Sequence, residues 1–191
     1  MILFINTCVR PQSRTRRLAM EVLSRISHHN ENVREIKPVN LPLTNETLER
    51  RTKLSESGKF DDVIFEDAKT FASASQIVIA APYWDLSFPA ALKNYIEAVN
   101  VVGITFAYTE EGIPYGLCKA ERLIYVTTAG GPIISDDYGY GYVRELSRSY
   151  WGIKDTAYVK AEGLDIIGAD VENIMTETVR RLDEALSSRH Q

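Results

Sequence analysis

The run QIVIAAPYWDLSFPAALKNYIEAV, Gln76 to Val99, decides the fold. Its opening is continuously apolar, with branched side chains at Ile77, Val78 and Ile79, which is the pattern of a strand buried on both faces. Its close begins at Pro89, which suits the first turn of a helix, and carries Leu92, Ile96 and Val99 on one side. A strand covered on both faces and followed at once by an amphipathic helix is the repeating unit of an α/β sheet with crossover helices.

The same alternation continues in both directions. Met1 to Asn6 reads as a buried strand, and Arg14 to His28 as a helix with Leu18, Val22 and Ile26 on one face and Ala19 and Leu23 beside them. Val33 to Pro38 is a short second strand, and the polar TNETLERRTKLSESGKFDD gives a charged helix with a loose connection. A helix over Glu66 to Ser73 leads into the strand Gln76 to Pro82. Further strands are expected at RLIYVTT, Arg122 to Thr128, and TAYVKAEG, Thr156 to Gly163. The last helix is expected to run unbroken from Ala169 to Ser187, with Val171, Ile174, Thr178, Leu182 and Ala185 on one stripe. Five strands opening on an N-terminal strand most resemble the flavodoxin-like doubly wound α/β order, 2-1-3-4-5, in a single domain over residues 1–191.

Composition narrows the function. With 191 residues, 45% of them apolar and 25% charged, the chain can bury one full core. A net charge of −4 with both signs interspersed argues against nucleic acid or an anionic membrane as the main partner. MILFI is too short for a signal peptide or a membrane span, and the charged NTCVRPQSRTRR follows directly, so a cytoplasmic protein is expected. Cys8 and Cys118 show neither a disulfide framework nor zinc-ligand spacing, so no metal is expected.

In a doubly wound sheet the ligand crevice lies beyond the carboxyl ends of the strands, which directs attention to TCVRPQSRT, PYWDLSFP and TTAGGPIISDDYGYGY. The first loop allows two chemistries. Cys8, five residues and then Arg14-Thr15 is the spacing of a cysteine phosphatase, whose thiolate would be activated by a helix start and a cation. Against it, no glycine lies between Cys8 and Arg14, Pro11 removes one amide donor, and the chain has no Asp-Pro dipeptide to supply a leaving-group acid. The other chemistry uses the hydroxyls of Thr7, Ser13 and Thr15, with Arg14 and the open amides of a helix start, to seat a phosphomonoester. Ser13 alternatively serves only as a helix cap, worth about 1 kcal/mol. The second loop places Tyr83, Trp84, Leu86 and Phe88 where a plain surface loop would be polar, and the third places Gly130-Gly131 at a strand exit, where backbone can approach a ring. Phosphate seat, aromatic wall and glycine edge together describe a flavin mononucleotide (FMN) site.

APYWDLSFPAALKNYIEAV, followed by GITFAYTEEGIPYGL and TTAGG, resembles the FMN-dependent NADH azoreductase and NAD(P)H quinone oxidoreductase family over nearly the whole chain. The resemblance implies that Thr7, Ser13, Arg14 and Thr15 hold the FMN phosphate. It sets Tyr83, Trp84, Asp85 and Leu86 against the flavin ring, and Thr128, Ala129, Gly130 and Gly131 at its other edge. It further implies a homodimer whose Thr105 to Gly112 segment lines the partner's pocket with Phe106 and Tyr108. The implied reaction is a ping-pong hydride transfer, in which NAD(P)H reduces FMN and a quinone or azo compound reoxidises it, with no catalytic side chain required. A flavin-binding electron carrier without NAD(P)H turnover is the alternative. Two departures from the family stand out. Asp85 replaces the common Asn, and a carboxylate facing the ring would lower the flavin potential. Where the family often places a histidine shortly after Gly131, this chain reads PIISDDYGYGY, which leaves Tyr138 or Tyr140 as the expected substrate-pocket residue. The GYG at Gly139 is not preceded by a strand and reads as a flexible rim.

Overall fold

The computed structural model describes residues 1–27, 31–39 and 43–187, so the expected end of the first helix at His28 lies outside the described residues. In chain order the elements are β1 (Ile2–Asn6), α1 (Arg14–Ile26), β2 (Val33–Ile36), α2 (Asn45–Glu56), a 3₁₀ turn at Val63–Phe65, α3 (Glu66–Ser73) and β3 (Gln76–Ala80). There follow α4 (Ala90–Val99), β4 (Phe106–Tyr108), β5 (Pro114–Gly116), β6 (Arg122–Thr128) and α5 (Tyr142–Leu146), the last flanked by π-helical turns at Asp137–Gly141 and Ser147–Trp151. β7 (Asp155–Ala161), α6 (Val171–Arg180) and α7 (Leu182–Ser187) complete the chain.

The main sheet is parallel throughout in the order β2-β1-β3-β6-β7, which is 2-1-3-4-5 once the small β4–β5 hairpin is set aside. Strand alternation divides the core. On one face Leu3, Ile5, Ile77, Ile79 and Leu123 pack against Phe71 of α3 and Leu92, Ile96 and Val99 of α4. On the other, Ile2, Phe4, Val78, Ile124 and Val126 meet Leu18, Ala19 and Val22 of α1 and Met175 and Leu182 of the last two helices. Each such side chain contributes roughly 1.5–3 kcal/mol through burial, which makes the sheet a rigid base for the loops at its carboxyl end. Trp151 is fully buried, edge-on to Phe71 at 4.6 Å, and its indole N–H donates to Asn100 Oδ1 at 2.8 Å.

Three features depart from the sequence reading. The last helix is two. Asp170 caps α6 by accepting from the Asn173 amide at 3.0 Å, and at Arg181 the amide is shared between the Glu177 and Thr178 carbonyls, so α7 starts afresh with Leu182 fully buried. Within Thr105 to Gly112 the chain turns into a hairpin, whose strand β5 passes so close to the helical segment that a Cβ on Gly116 would sit 2.0 Å from the Trp151 carbonyl carbon. Finally, the GYG at Gly139 is not a rim. Gly139 and Tyr140 are buried in the first π-helical turn, because Tyr140 stacks on Tyr158 of β7 with ring centroids 4.3 Å apart.

Candidate functional site

The loops beyond β1, β3, β6 and β7 enclose a cleft of about 620 Å³, within the range of small-molecule sites. Its first wall is the turn into α1. Ser13 has extended backbone and its Oγ accepts from the Arg16 amide at 3.2 Å, so it caps the helix, while the first-turn amides of Arg14 and Thr15 are left open by helix geometry. Thr15 Oγ1 lies 2.6 Å from Thr128 Oγ1 and ties this wall to the exit of β6. Ser13, Arg14 and Thr15 line the cleft together.

Thr7 does not line it. Its hydroxyl donates to the Ala80 carbonyl at 2.9 Å and its amide to the same oxygen at 3.0 Å, fastening the exit of β1 to that of β3. Cys8 is also outside the wall, and burial raises its thiol pKa against the lowering influence of a Ser13 hydrogen bond and the Arg16 charge. A cysteine phosphatase needs the opposite shift. The guanidinium of Arg14 is directed across the cleft, to the Leu164 carbonyl at 3.1 Å and Asp165 Oδ1 at 2.8 Å.

Tyr83 and Trp84 form the second wall. The Tyr83 amide donates to the Thr128 carbonyl at 3.1 Å, and its hydroxyl is buried with no partner among the described residues. Trp84 and Ser87 exchange both backbone hydrogen bonds, at 3.1 and 2.8 Å, closing a tight turn with Asp85 at φ 50° and Leu86 at φ 68°. Left-handed backbone at two consecutive non-glycine residues is strained, and such strain gathers at functional sites. The Trp84 amide is thereby spent, which leaves the Asp85 and Leu86 amides at the turn tip. The side chains of Asp85 and Leu86 are exposed and do not line the cleft.

Thr128, Ala129 and Gly130 make the third wall, and Gly131 lies just outside it. A fourth wall, absent from the sequence reading, is the segment after β7. It folds back so that the amides of Gly163, Leu164 and Asp165 donate to the carbonyls of Gly131, Ala129 and Gly130 at 3.1, 3.2 and 2.8 Å. The Asp165 carboxylate then lies directly on Gly130, where a Cβ would meet Oδ2 at 2.4 Å. A side chain at position 130 would have to displace the carboxylate. The one signal in the sequence was EGLD following a core strand.

The expected substrate-pocket residues separate. Tyr140 is a correction: it is 5% exposed, stacked on Tyr158, and its hydroxyl shares a hydrogen bond with Thr156 Oγ1 at 3.0 Å, so it belongs to the core. Tyr138 is exposed, and its carbonyl accepts from Ser87 Oγ at 2.5 Å beside the second wall. Phe106 and Tyr108 sit on the hairpin, away from this chain's own cleft. Phe106 is buried against Tyr108 and Tyr150, while Tyr108 is exposed.

A parallel sheet in the order 2-1-3-4-5, with a crevice formed by its carboxyl-end loops, defines a flavodoxin-like protein. The family model described as flavodoxin-like fold matches residues 1–186, and the chain belongs to that family. It is 40% identical over 147 residues to the FMN-dependent NADH:quinone oxidoreductase 2 of Clostridium acetobutylicum, covering 74% of this chain and 72% of that one. It is also 40% identical over 120 residues to an FMN-dependent NADH:quinone oxidoreductase of Clostridium perfringens, spanning 62% of this chain and 60% of that relative. Among solved structures, an azoreductase from Bacillus anthracis superposes with a TM-score of 0.81 at 24% identity, covering 98% of this chain and 99% of that one. An FMN-dependent NADH-azoreductase from the same species, in complex with FMN, superposes at 0.78 with 23% identity and 97% of each chain. At that identity the two structures speak to the fold.

Proposed function

We propose that this chain is an FMN-dependent oxidoreductase that passes electrons from NADH to quinones or azo compounds. The observation that carries the reading is the convergence of Ser13–Thr15, Tyr83–Trp84 and Thr128–Gly130 on one cleft. The residues present fit the cofactor. Hydroxyl and amide donors at the start of α1 suit a phosphomonoester, and Tyr83 and Trp84 supply aromatic surface on the second wall for a flat ring.

When bound, FMN supplies the two-electron hydride chemistry. The chain's own residues then bind and orient. Ser13, Arg14 and Thr15 would hold the phosphate, with Thr7 steadying the strand exits behind them. Tyr83 and Trp84 would flank the ring on one side, and Thr128 to Gly131 on the other. The open amides of Asp85 and Leu86 would face polar atoms at the ring edge, donating hydrogen bonds that favour added electron density. No acid or base from the protein is required. NADH rather than NADPH is the reading we favour, because the curated relatives that this chain matches are named for NADH.

A homodimer is the assembly this reading expects. The hairpin exposes Tyr108, Ile113 and Tyr115, an apolar surface suited to a second copy, and Tyr108 is the residue we assign to the partner's cleft. Sedimentation at micromolar concentration tests this, and a monomer would count against it. No described helix is long and apolar enough to cross a membrane, and we place the activity in the cytoplasm, where NADH is supplied. The decisive experiment is anaerobic reduction. Purified protein reconstituted with FMN should be yellow and bleach on adding NADH. Protein that cannot hold FMN would refute the proposal, and flavin retained without bleaching by either nicotinamide would favour an electron carrier instead.

A further inference from the structure

The cleft wall carries one acidic residue, Asp165, and it is already engaged. Arg14 Nη1 reaches Asp165 Oδ1 at 2.8 Å and the Leu164 carbonyl at 3.1 Å, spanning from the first turn of α1 to the folded-back segment after β7. Both partners are partly exposed, at 39% and 65% of their side-chain area, so their attraction is screened and exchangeable with another anion. The carboxylate occupies the space over Gly130, where an added Cβ would meet Oδ2 at 2.4 Å, and the Asp165 amide is bonded to the Gly130 carbonyl at 2.8 Å. Arg14 shares the first wall with Ser13 and Thr15, the hydroxyls of the proposed phosphate seat.

We propose that Asp165 is a specificity-setting residue that competes with the cofactor phosphate for Arg14, and so reduces the preference of this cleft for FMN over unphosphorylated riboflavin. This rests on the flavin reading above. An ionised pair of Arg14 and Asp165 presents no net charge to an arriving phosphate dianion, which then relies on neutral hydroxyl and amide donors. Removing the carboxylate leaves one positive charge beside the seat, and removing the guanidinium leaves one negative charge. Removing both restores a neutral wall. Riboflavin, which carries no phosphate, is indifferent to all three changes.

The test is the dissociation constant of FMN and of riboflavin, from quenching of flavin fluorescence, for wild type, Asp165→Asn, Arg14→Gln and the double variant. Asp165→Asn should tighten FMN about fivefold at low salt, Arg14→Gln should weaken it by a similar factor, and the double variant should return close to wild type. Riboflavin should bind all four alike, and the FMN differences should shrink as salt is raised. Parallel loss of FMN and riboflavin in the single variants would mean that the pair only holds the loop, and would overturn the proposal. So would FMN affinities that do not change. Failure of the wild type to bind either flavin would instead refute the cofactor reading itself, which keeps the two questions apart.

Discussion

Replacing Ser13 by Asp separates the two tasks that this residue combines. Ser13 Oγ accepts from the Arg16 amide at 3.2 Å and caps α1, and the same side chain lines the cleft where a phosphate is expected. Aspartate caps helices about as well as serine, so Ser13→Asp should leave thermal stability within about 0.5 kcal/mol of wild type. Its carboxylate, however, would stand beside a phosphate bound as proposed. A unit charge about 4 Å from another costs about 1 kcal/mol in water, so a dianion costs about 2 kcal/mol, and more where the cleft wall excludes water. That corresponds to a loss of FMN affinity of roughly thirtyfold or greater. Titration with FMN and riboflavin in parallel, with circular dichroism to verify the fold, gives the answer. Wild-type FMN affinity in Ser13→Asp, or an equal loss of riboflavin, would refute the assignment of this loop to the phosphate.

Other outcomes follow from the same structure. Cys8→Ser should leave flavin binding and turnover nearly intact, since the thiol lies outside the cleft and burial keeps it protonated; loss of flavin in steady-state and binding assays would reopen a role for the cysteine. Gly116→Ala should destabilise by about 3 kcal/mol, seen as a fall of roughly 6–12 °C in melting temperature, because the added carbon meets rigid backbone of Trp151 and Gly152 at 2.0 and 2.1 Å. Flavin affinity below the new melting temperature should change less than stability, because no residue lining this chain's own cleft comes from the hairpin. The Cys118 thiol is pushed up to about 12 by burial, above its ordinary value of 9.0. The unfolded chain therefore releases this proton first, so the stability it confers is present below pH 9 and is lost as pH rises toward 12. Urea titrations across that range should show a slope shallower by up to about 1.4 kcal/mol per pH unit in Cys118→Ala, and an unchanged slope would refute the assignment.

The parts of this molecule that were legible in its sequence are those fixed by local pattern. The continuous apolar runs at Ile2–Asn6, Gln76–Ala80 and Arg122–Thr128 marked strands buried on both faces, and the sheet order came from the likeness of their alternation with helices to the flavodoxin-like fold. Ser13 to Thr15, Tyr83 to Trp84 and Thr128 to Gly130 could be named as candidates for one cleft because loops at strand exits are where such folds bind. What escaped depends on contacts between distant residues. Tyr140 looks like a loop tyrosine among glycines until Tyr158, on the far edge of the sheet, offers a ring to stack on. Asp165 enters the cleft only because its segment doubles back onto Ala129 to Gly131 through three backbone bonds. The strands of the hairpin are three residues each, too short to carry a period. The break at Arg181 leaves the apolar stripe of the last helices intact and thus no trace in the pattern.

The chain has two tryptophans, and the fold has put them in opposite surroundings. Trp151 is sealed in the core with its N–H tied to Asn100, while Trp84 is 41% exposed on the cleft wall. Excited together, they form a two-channel optical gauge that needs no label. Emission from the solvent-facing indole should shift to longer wavelength and be quenched by energy transfer to any flavin beside it. The sealed indole should emit to the blue and change only when the core opens. A single emission spectrum can therefore distinguish an emptied cleft from an unfolded protein, the ambiguity that most often clouds the study of a cofactor-binding enzyme.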